Sequence, residues 1–192
     1  MSSSAPDGLP LLEGLGNLTR VRLMGEDTDL PLASPTAWQA GPGGVPALLL
    51  DGRVAELPAV GDFEHDQPFS ATFWIKPPAN DSFYAILARM DESAAHRGWD
   101  MAVSSRRVTM HLIHSYPDDC LKVVAKEQLK ADAWTFVAIT YDGSGSAKGI
   151  KVYYDGKPQD LNVENKKFEK NTTRTTTPLA VGSRSVNGGA HG

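Results

Sequence analysis

From Ala47 onward, apolar and polar residues alternate with a period of two, in runs too short for helices and closed by turn-forming residues. The clearest run is Phe69 to Lys76. Phe69, Ala71, Phe73 and Ile75 share one face; Ser70, Thr72, Trp74 and Lys76 share the other. A period of two is the signature of a β-strand, whose successive side chains leave opposite faces. Pro77 and Pro78 end the run, because proline cannot donate to a ladder. The alternation returns at Val108 to Ile113. It returns again at Trp134 to Tyr141, where Trp134 is expected to seal one end of a core face continued by Phe136, Ala138 and Thr140. Shorter apolar runs lie at 47–50, 54–57, 83–89, 99–103, 121–125, 150–154 and 179–181. Asp51-Gly52, Arg97-Gly98, Asp142-Gly143 and Asp155-Gly156 punctuate them, the last being a hairpin signal. Roughly nine or ten short strands with such turns predict an all-β sandwich or barrel. No strand–helix–strand alternation is present, which excludes doubly wound and TIM-barrel folds. The only helical turn expected past the N-terminal region lies around Glu92 to His96.

Upstream of residue 47 the pattern is weak. Residues 1–18 read as a flexible lead and 19–192 as the folded domain, with a first strand at Thr19 to Met24 and a loop from Ser34 to Pro46. A chain of 192 residues suits one domain that needs no disulfide or metal to hold it. The single cysteine, Cys120, cannot form an internal disulfide or a cysteine-based zinc site, and reads as a buried apolar residue. A net charge of -4 leaves no basic excess to hold phosphates, so nucleic acid is not an expected partner. No apolar stretch approaches the ~20 residues of a membrane-spanning helix, so membrane insertion is not expected. Met1 to Pro10 lacks the basic and apolar regions of a signal peptide.

Four segments then acquire a family likeness: FSATFWIKP (69–77), WTFVAITYDG (134–143), GIKVYYDGKP (149–158) and LAVGSRS (179–185). In this order and spacing the chain resembles the laminin-G-like branch of the concanavalin A-like lectin/glucanase superfamily. The resemblance covers about Ala47 to Arg184. It implies a jelly-roll β-sandwich of two antiparallel sheets. ILARMDESAAHRGWDM (86–101) and HLIHSYPDDCLKVV (111–124) resemble the version of this domain inside large exported planctomycete proteins that also carry cytochrome-c-like segments. That likeness implies an exported protein, periplasmic or at the cell surface. Family members continue past the Gly-Ser-Arg segment into a final strand, whereas this sequence ends at Gly192, so a sandwich lacking its last strand is expected.

Glucanases of this superfamily carry a Glu-x-Asp-x-x-Glu strand, because retaining glycoside hydrolysis needs two carboxyl groups about 5–5.5 Å apart. The nearest approach here is Glu64-His65-Asp66, where the third carboxylate is missing. No Ser-His-Asp arrangement, His-Glu-x-x-His motif or phosphate loop is present. The chain is therefore expected not to be an enzyme. The family likeness also raises a calcium ion at the sandwich rim, for which Asp118-Asp119 and Asp142 to Ser146 supply oxygen-rich loops.

The candidate ligand-binding residues are Trp74, Arg89, Asp100, His111, His114, Tyr116 and Asp118. Trp74 falls on the polar face of its strand, so it lies either under a loop or in a groove. Asp100 falls opposite Trp99, Met101 and Val103. His111 shares a face with Thr109, opposite Val108, Met110 and Leu112. His111 and His114, three apart, point to opposite faces and cannot share a metal from a regular strand. His114, Tyr116 and Asp118 either form an ordinary polar loop or the rim of a sugar site, with a ring to stack and polar groups to bond hydroxyls. Arg89, with Asp91 and Arg97, flanks a loop. The expected function is a non-catalytic recognition module for a glycan or neighbouring protein domains. The alternatives are a structural spacer and a glycoside hydrolase.

Overall fold

The computed structural model describes residues 38–50, 52, 55–57 and 60–184, together with the backbone of strands at 14–15, 18–23 and 26–31. Sixteen strands are present among these residues. They are β1 (Gly14–Leu15), β2 (Leu18–Leu23), β3 (Glu26–Pro31), β4 (Trp38–Ala40), β5 (Pro46–Leu48), β6 (Ala55–Leu57), β7 (Phe69–Ile75) and β8 (Phe83–Asp91). Then come β9 (Arg97–Ser104), β10 (Arg107–Ser115), β11 (Asp119–Ala125), β12 (Thr135–Tyr141), β13 (Ile150–Tyr154), β14 (Lys157–Pro158), β15 (Leu161–Asn165) and β16 (Leu179–Val181). The helical content is three short 3-10 turns, one of them Glu92–Ala94, inside the turn expected there.

The larger sheet runs β15-β11-β10-β9-β8-β16-β6 and the smaller β14-β13-β12-β7, with every pairing antiparallel. β1 to β3 form a separate meander. This is an all-β sandwich, one of the two architectures the alternation allows, and the jelly roll that the family likeness implies. β4 and β5 form a hairpin across Pro42–Gly44, so the region read as a loop from Ser34 holds a strand at Trp38. Among the described residues, Gly41 to Gly44 fall in the turn and Pro46 at a strand end, where they cost no ladder bond.

The core lies between the two sheets. From the larger sheet come Trp99, Met101 and Val103, Val108, Met110 and Leu112, and Leu121, Val123 and Ala125. From the smaller sheet come Phe69, Ile75, Val137, Ile139, Tyr141, Ile150, Val152 and Tyr154. Each large apolar side chain buried this way contributes about 1.5–3 kcal/mol. At one end Phe63 stacks on Phe69 at 4.4 Å, and Trp99 leans on both.

β12 differs from its sequence reading. Its buried residues are Thr135, Val137, Ile139 and Tyr141, while Phe136, Ala138 and Thr140 are half-buried on the outer face. The register explains this. Val137 pairs with Phe73 and Ile139 with Ala71, the inward face of β7, and Phe136 pairs with the outward Trp74. Trp134 precedes the strand and does not set its phase.

Two hairpins show how the chain reverses. Asp155 and Gly156 both take positive φ, 48° and 78°, as a two-residue turn requires. Ser105 and Arg106 do the same at 47° and 58° without a glycine. That turn is held from outside: Gln128 donates to the Ser105 carbonyl at 3.1 Å, and the Leu129 N–H donates to the Arg106 carbonyl at 2.7 Å.

Gly98, the second residue of β9, has a φ of 131°, and a Cβ there would lie 1.9 Å from the Arg89 carbonyl oxygen of β8. Gly98→Ala must therefore push β8 and β9 apart at the register that positions Trp99. It is expected to cost more than about 2 kcal/mol, read as a lowered urea midpoint. A midpoint equal to the parent's would show that this close approach is not needed.

Candidate functional site

Four neighbouring strands of the larger sheet present one grid of outward side chains. Ala88, Asp100, His111 and Lys122 pair in a row across β8, β9, β10 and β11. The next row holds Ala85, Ala102, Thr109 and Val124, followed by Phe83, Ser104 and Arg107. On the other side lie Met90, Gly98, Ile113 and Cys120, of which Met90, Ile113 and Cys120 form a small buried cluster. Alanines in the middle rows and larger side chains around them leave a depression. A groove of about 370 Å³ follows this face, walled by Phe83, Arg107, Thr109, His111, Lys122, Glu164 and Arg184, with His96 and Tyr116 at one end.

At the floor is a buried ionic cluster. Asp100 has no exposed surface, and its Oδ1 accepts a bond from His111 Nδ1 at 2.6 Å. Arg184 Nε donates to Asp100 Oδ2, and the Arg184 guanidinium lies 4.3 Å from the Phe83 ring centroid. Burial would raise the Asp100 pKa, but His111 and Arg184 hold it below the usual carboxylate range. With Nδ1 occupied by the carboxylate, Nε2 is the ring nitrogen left for the groove, and it makes no hydrogen bond among the described residues. The Thr109 hydroxyl, on the same face of β10, is buried without a partner. Lys122 and Glu164 pair across β11 and β15 at 2.7 Å.

Of the residues singled out from sequence, His111 and Tyr116 line this groove, and Asp100 lies buried beneath it, bonded to His111. Tyr116 is 43% exposed, and its ring meets His96 edge-on at 6.0 Å. Asp118 is exposed in the β10–β11 turn beside the cis Tyr116-Pro117 bond and does not line the groove. His114 turns away, its Nδ1 donating to the Thr172 carbonyl at 2.8 Å. Arg89 is buried, donating to the carbonyls of Val60 and Thr175 at 2.7 and 3.1 Å. Trp74 is 46% exposed on the smaller sheet, tilted against Phe136 at 5.4 Å.

Arg107, Lys122, Glu164 and Arg184 were not singled out from sequence. The signal for Arg107 and Lys122 is strand phase, since they share the face of His111 and its partner. Nothing local marks Arg184, which is brought in by the tertiary path. Cys120 is buried, which pushes its thiol up to about 11, as expected of an apolar cysteine. Among the described residues no three His, Cys, Asp or Glu side chains gather to hold a metal ion. Asp142, in one of the oxygen-rich loops, accepts the Ser144 N–H at 2.9 Å.

Glu64, the nearest approach to a glucanase motif, ties down a loop. Its Oε1 accepts the N–H groups of His65 and Thr173 at 2.8 and 3.0 Å, and its Oε2 accepts the Thr172 hydroxyl at 2.8 Å. Partial burial works against its charge, but these donors bring its pKa down to about 2.

A carboxylate whose folded pKa is depressed adds stability that is present above its unfolded value and lost as pH falls through the folded one. For Glu64 the window runs from the ordinary carboxyl value of 4.5 down to about 2, and Asp100 acts in the same direction. Glu64→Gln is expected to cost about 1–2 kcal/mol at neutral pH and to flatten the acid limb, measured by urea unfolding near neutrality and near pH ~3. An acid limb as steep as the parent's would exclude Glu64 as the group responsible.

Residues 51–191 match the model of a family described as the concanavalin A-like lectin/glucanases superfamily. No curated protein matches the chain. Among solved structures, HCR/D-Sa-GBL1/C aligns at 15% identity with a TM-score of 0.58, over 95% of this chain and 45% of that one. A structure of botulinum neurotoxin type C, whose cell entry is dependent upon interaction with two ganglioside molecules, aligns at 15% identity and TM-score 0.50, over 88% and 43%. The binding domain of botulinum neurotoxin DC in complex with rat synaptotagmin II aligns at 15% identity and TM-score 0.50, over 86% and 43%. The chain thus spans less than half the length of these structures, and at such identity the likeness is one of fold. The family match over most of the chain agrees with the two face-to-face antiparallel sheets and their single core, and on these grounds the chain belongs to the concanavalin A-like lectin/glucanases superfamily.

Proposed function

We propose that this domain is a non-catalytic carbohydrate-recognition module of a larger exported protein, and that it binds its ligand in the groove of the larger sheet. The observation that carries this reading is the meeting of an exposed aromatic ring, Tyr116, with a floor of fixed polar groups in one groove. Sugars offer apolar ring faces and many hydroxyls, so such sites combine an aromatic platform with oriented donors and acceptors. Orientation comes from burial: Asp100 fixes the His111 ring, and Arg184 fixes Asp100. The same pairing speaks for binding over hydrolysis. Asp100 is committed to Arg184 and His111, and Glu164 to Lys122, so neither stands free as a general acid.

The test is a glycan array followed by titration of the hits. Tyr116→Ala is expected to weaken binding by about tenfold while leaving the fold unchanged. Array hits whose affinity is indifferent to Tyr116 would move the site out of this groove.

A second reading rests on the opposite face. Trp74 is exposed beside Phe136 on the smaller sheet, an aromatic pair of the kind enriched at protein contacts. Trp74→Ala is expected to leave sugar binding unchanged and to weaken association with a neighbouring domain of the parent protein. Weakened sugar binding in this variant, measured by titration, would assign Trp74 to the glycan site.

A further inference from the structure

Building on the groove reading, we infer that the ligand is an acidic sugar chain, with an anionic group meeting Arg107 and a hydroxyl hydrogen-bonded to His111 Nε2. The chain carries a net charge of -4, yet three cations line this groove. Two of them are occupied, Arg184 by Asp100 and Lys122 by Glu164. Arg107 differs. Its Nε donates to the Lys126 carbonyl at 3.2 Å, and no carboxylate among the described residues pairs with it. The two outer nitrogens of its guanidinium keep the planar fork that a carboxylate or sulfate fits.

Arg107 and His111 stand on one face of β10 with Thr109 between them. Four residues of strand separate them by about 14 Å, a distance that consecutive sugar units bridge and a lone small acid does not. His111 Nδ1 is taken by Asp100, so Nε2 is the ring nitrogen left to hydrogen-bond a sugar hydroxyl, which can both donate and accept. An anion at one end and a hydroxyl at the other define an acidic polysaccharide.

The experiment is isothermal titration of the whole chain with polygalacturonate, with a neutral galactan and with dextran sulfate, at low and raised salt. Polygalacturonate is expected to bind about tenfold more tightly than galactan at low salt, as a charge-assisted fork contact provides. The gap should narrow as salt rises. Arg107→Gln should abolish the gap and Arg107→Lys should keep part of it, with circular dichroism confirming the fold of both. Dextran sulfate binding above polygalacturonate would support the acidic reading with sulfate as the anion. Equal affinity for polygalacturonate and galactan, or a gap that survives Arg107→Gln, overturns the inference and leaves the groove as a site for neutral sugars. Absence of binding by all three polymers overturns the inference and counts against the groove reading itself.

Discussion

The register between β9 and β10 is the constraint on which both the core and the groove depend. It sets Met101 opposite Met110 on the inner face and Asp100 opposite His111 on the outer. All four are buried, but in different surroundings. A slip of one residue would turn Asp100 into the apolar core and expel Met101 and Val103. The apolar face thus enforces the pairing, and the polar face inherits its geometry from it. Sites built on central strands are held more rigidly than sites on loops, and here the floor of the site lies on β8 to β11.

Asp100 brings an energetic problem that the fold resolves with a distant residue. A fully buried carboxylate is costly unless paired and hydrogen-bonded. His111 comes from the adjacent strand, but Arg184 arrives just past β16, which inserts between β8 and β6. The alanines at 85, 88 and 102 keep the outer floor low, so the guanidinium can reach from Phe83 to Asp100. Docking of β16 and integrity of the groove are therefore one event. Loss of Arg184 would leave a buried carboxylate with His111 as its remaining partner among the described residues.

Residues 166–178 cross one end of the sandwich with no regular element of their own, so side chains must satisfy their backbone groups. Glu64 holds Thr172 and Thr173, Asp62 holds Arg174 and Thr175, and Asp119 accepts the Glu169 N–H at 2.7 Å and Asn171 at 2.8 Å. His114 and Arg89 bond carbonyls of the same segment. Several side chains whose types suggest a binding site are thus spent on fastening a loop. A residue's type tells what it can bond, and only its neighbours tell what it does bond.

How much was legible in the sequence follows from the range of each force. The β-pleat is local, so alternation alone revealed the strand at Phe69 to Ile75, the core face of β9 and β10 and the outward placement of Asp100 and His111. The Asp155-Gly156 turn was legible because few residues other than glycine, asparagine and aspartate readily accept positive φ. The Ser105-Arg106 turn was not, since its positive φ values are imposed by Gln128 and Leu129 from a later segment. The phase of β12 was misread because Trp134 was assigned to a strand it only precedes. The convergence of Tyr116, Arg107 and Lys122 with Arg184, and the diversion of His114 and Arg89 to a loop, lay beyond any local pattern. Hydrophobic period and turn chemistry act between near neighbours and are written in the sequence. The pairing of Asp100 with Arg184 joins residues 84 positions apart, so it exists only once the strands between them have packed.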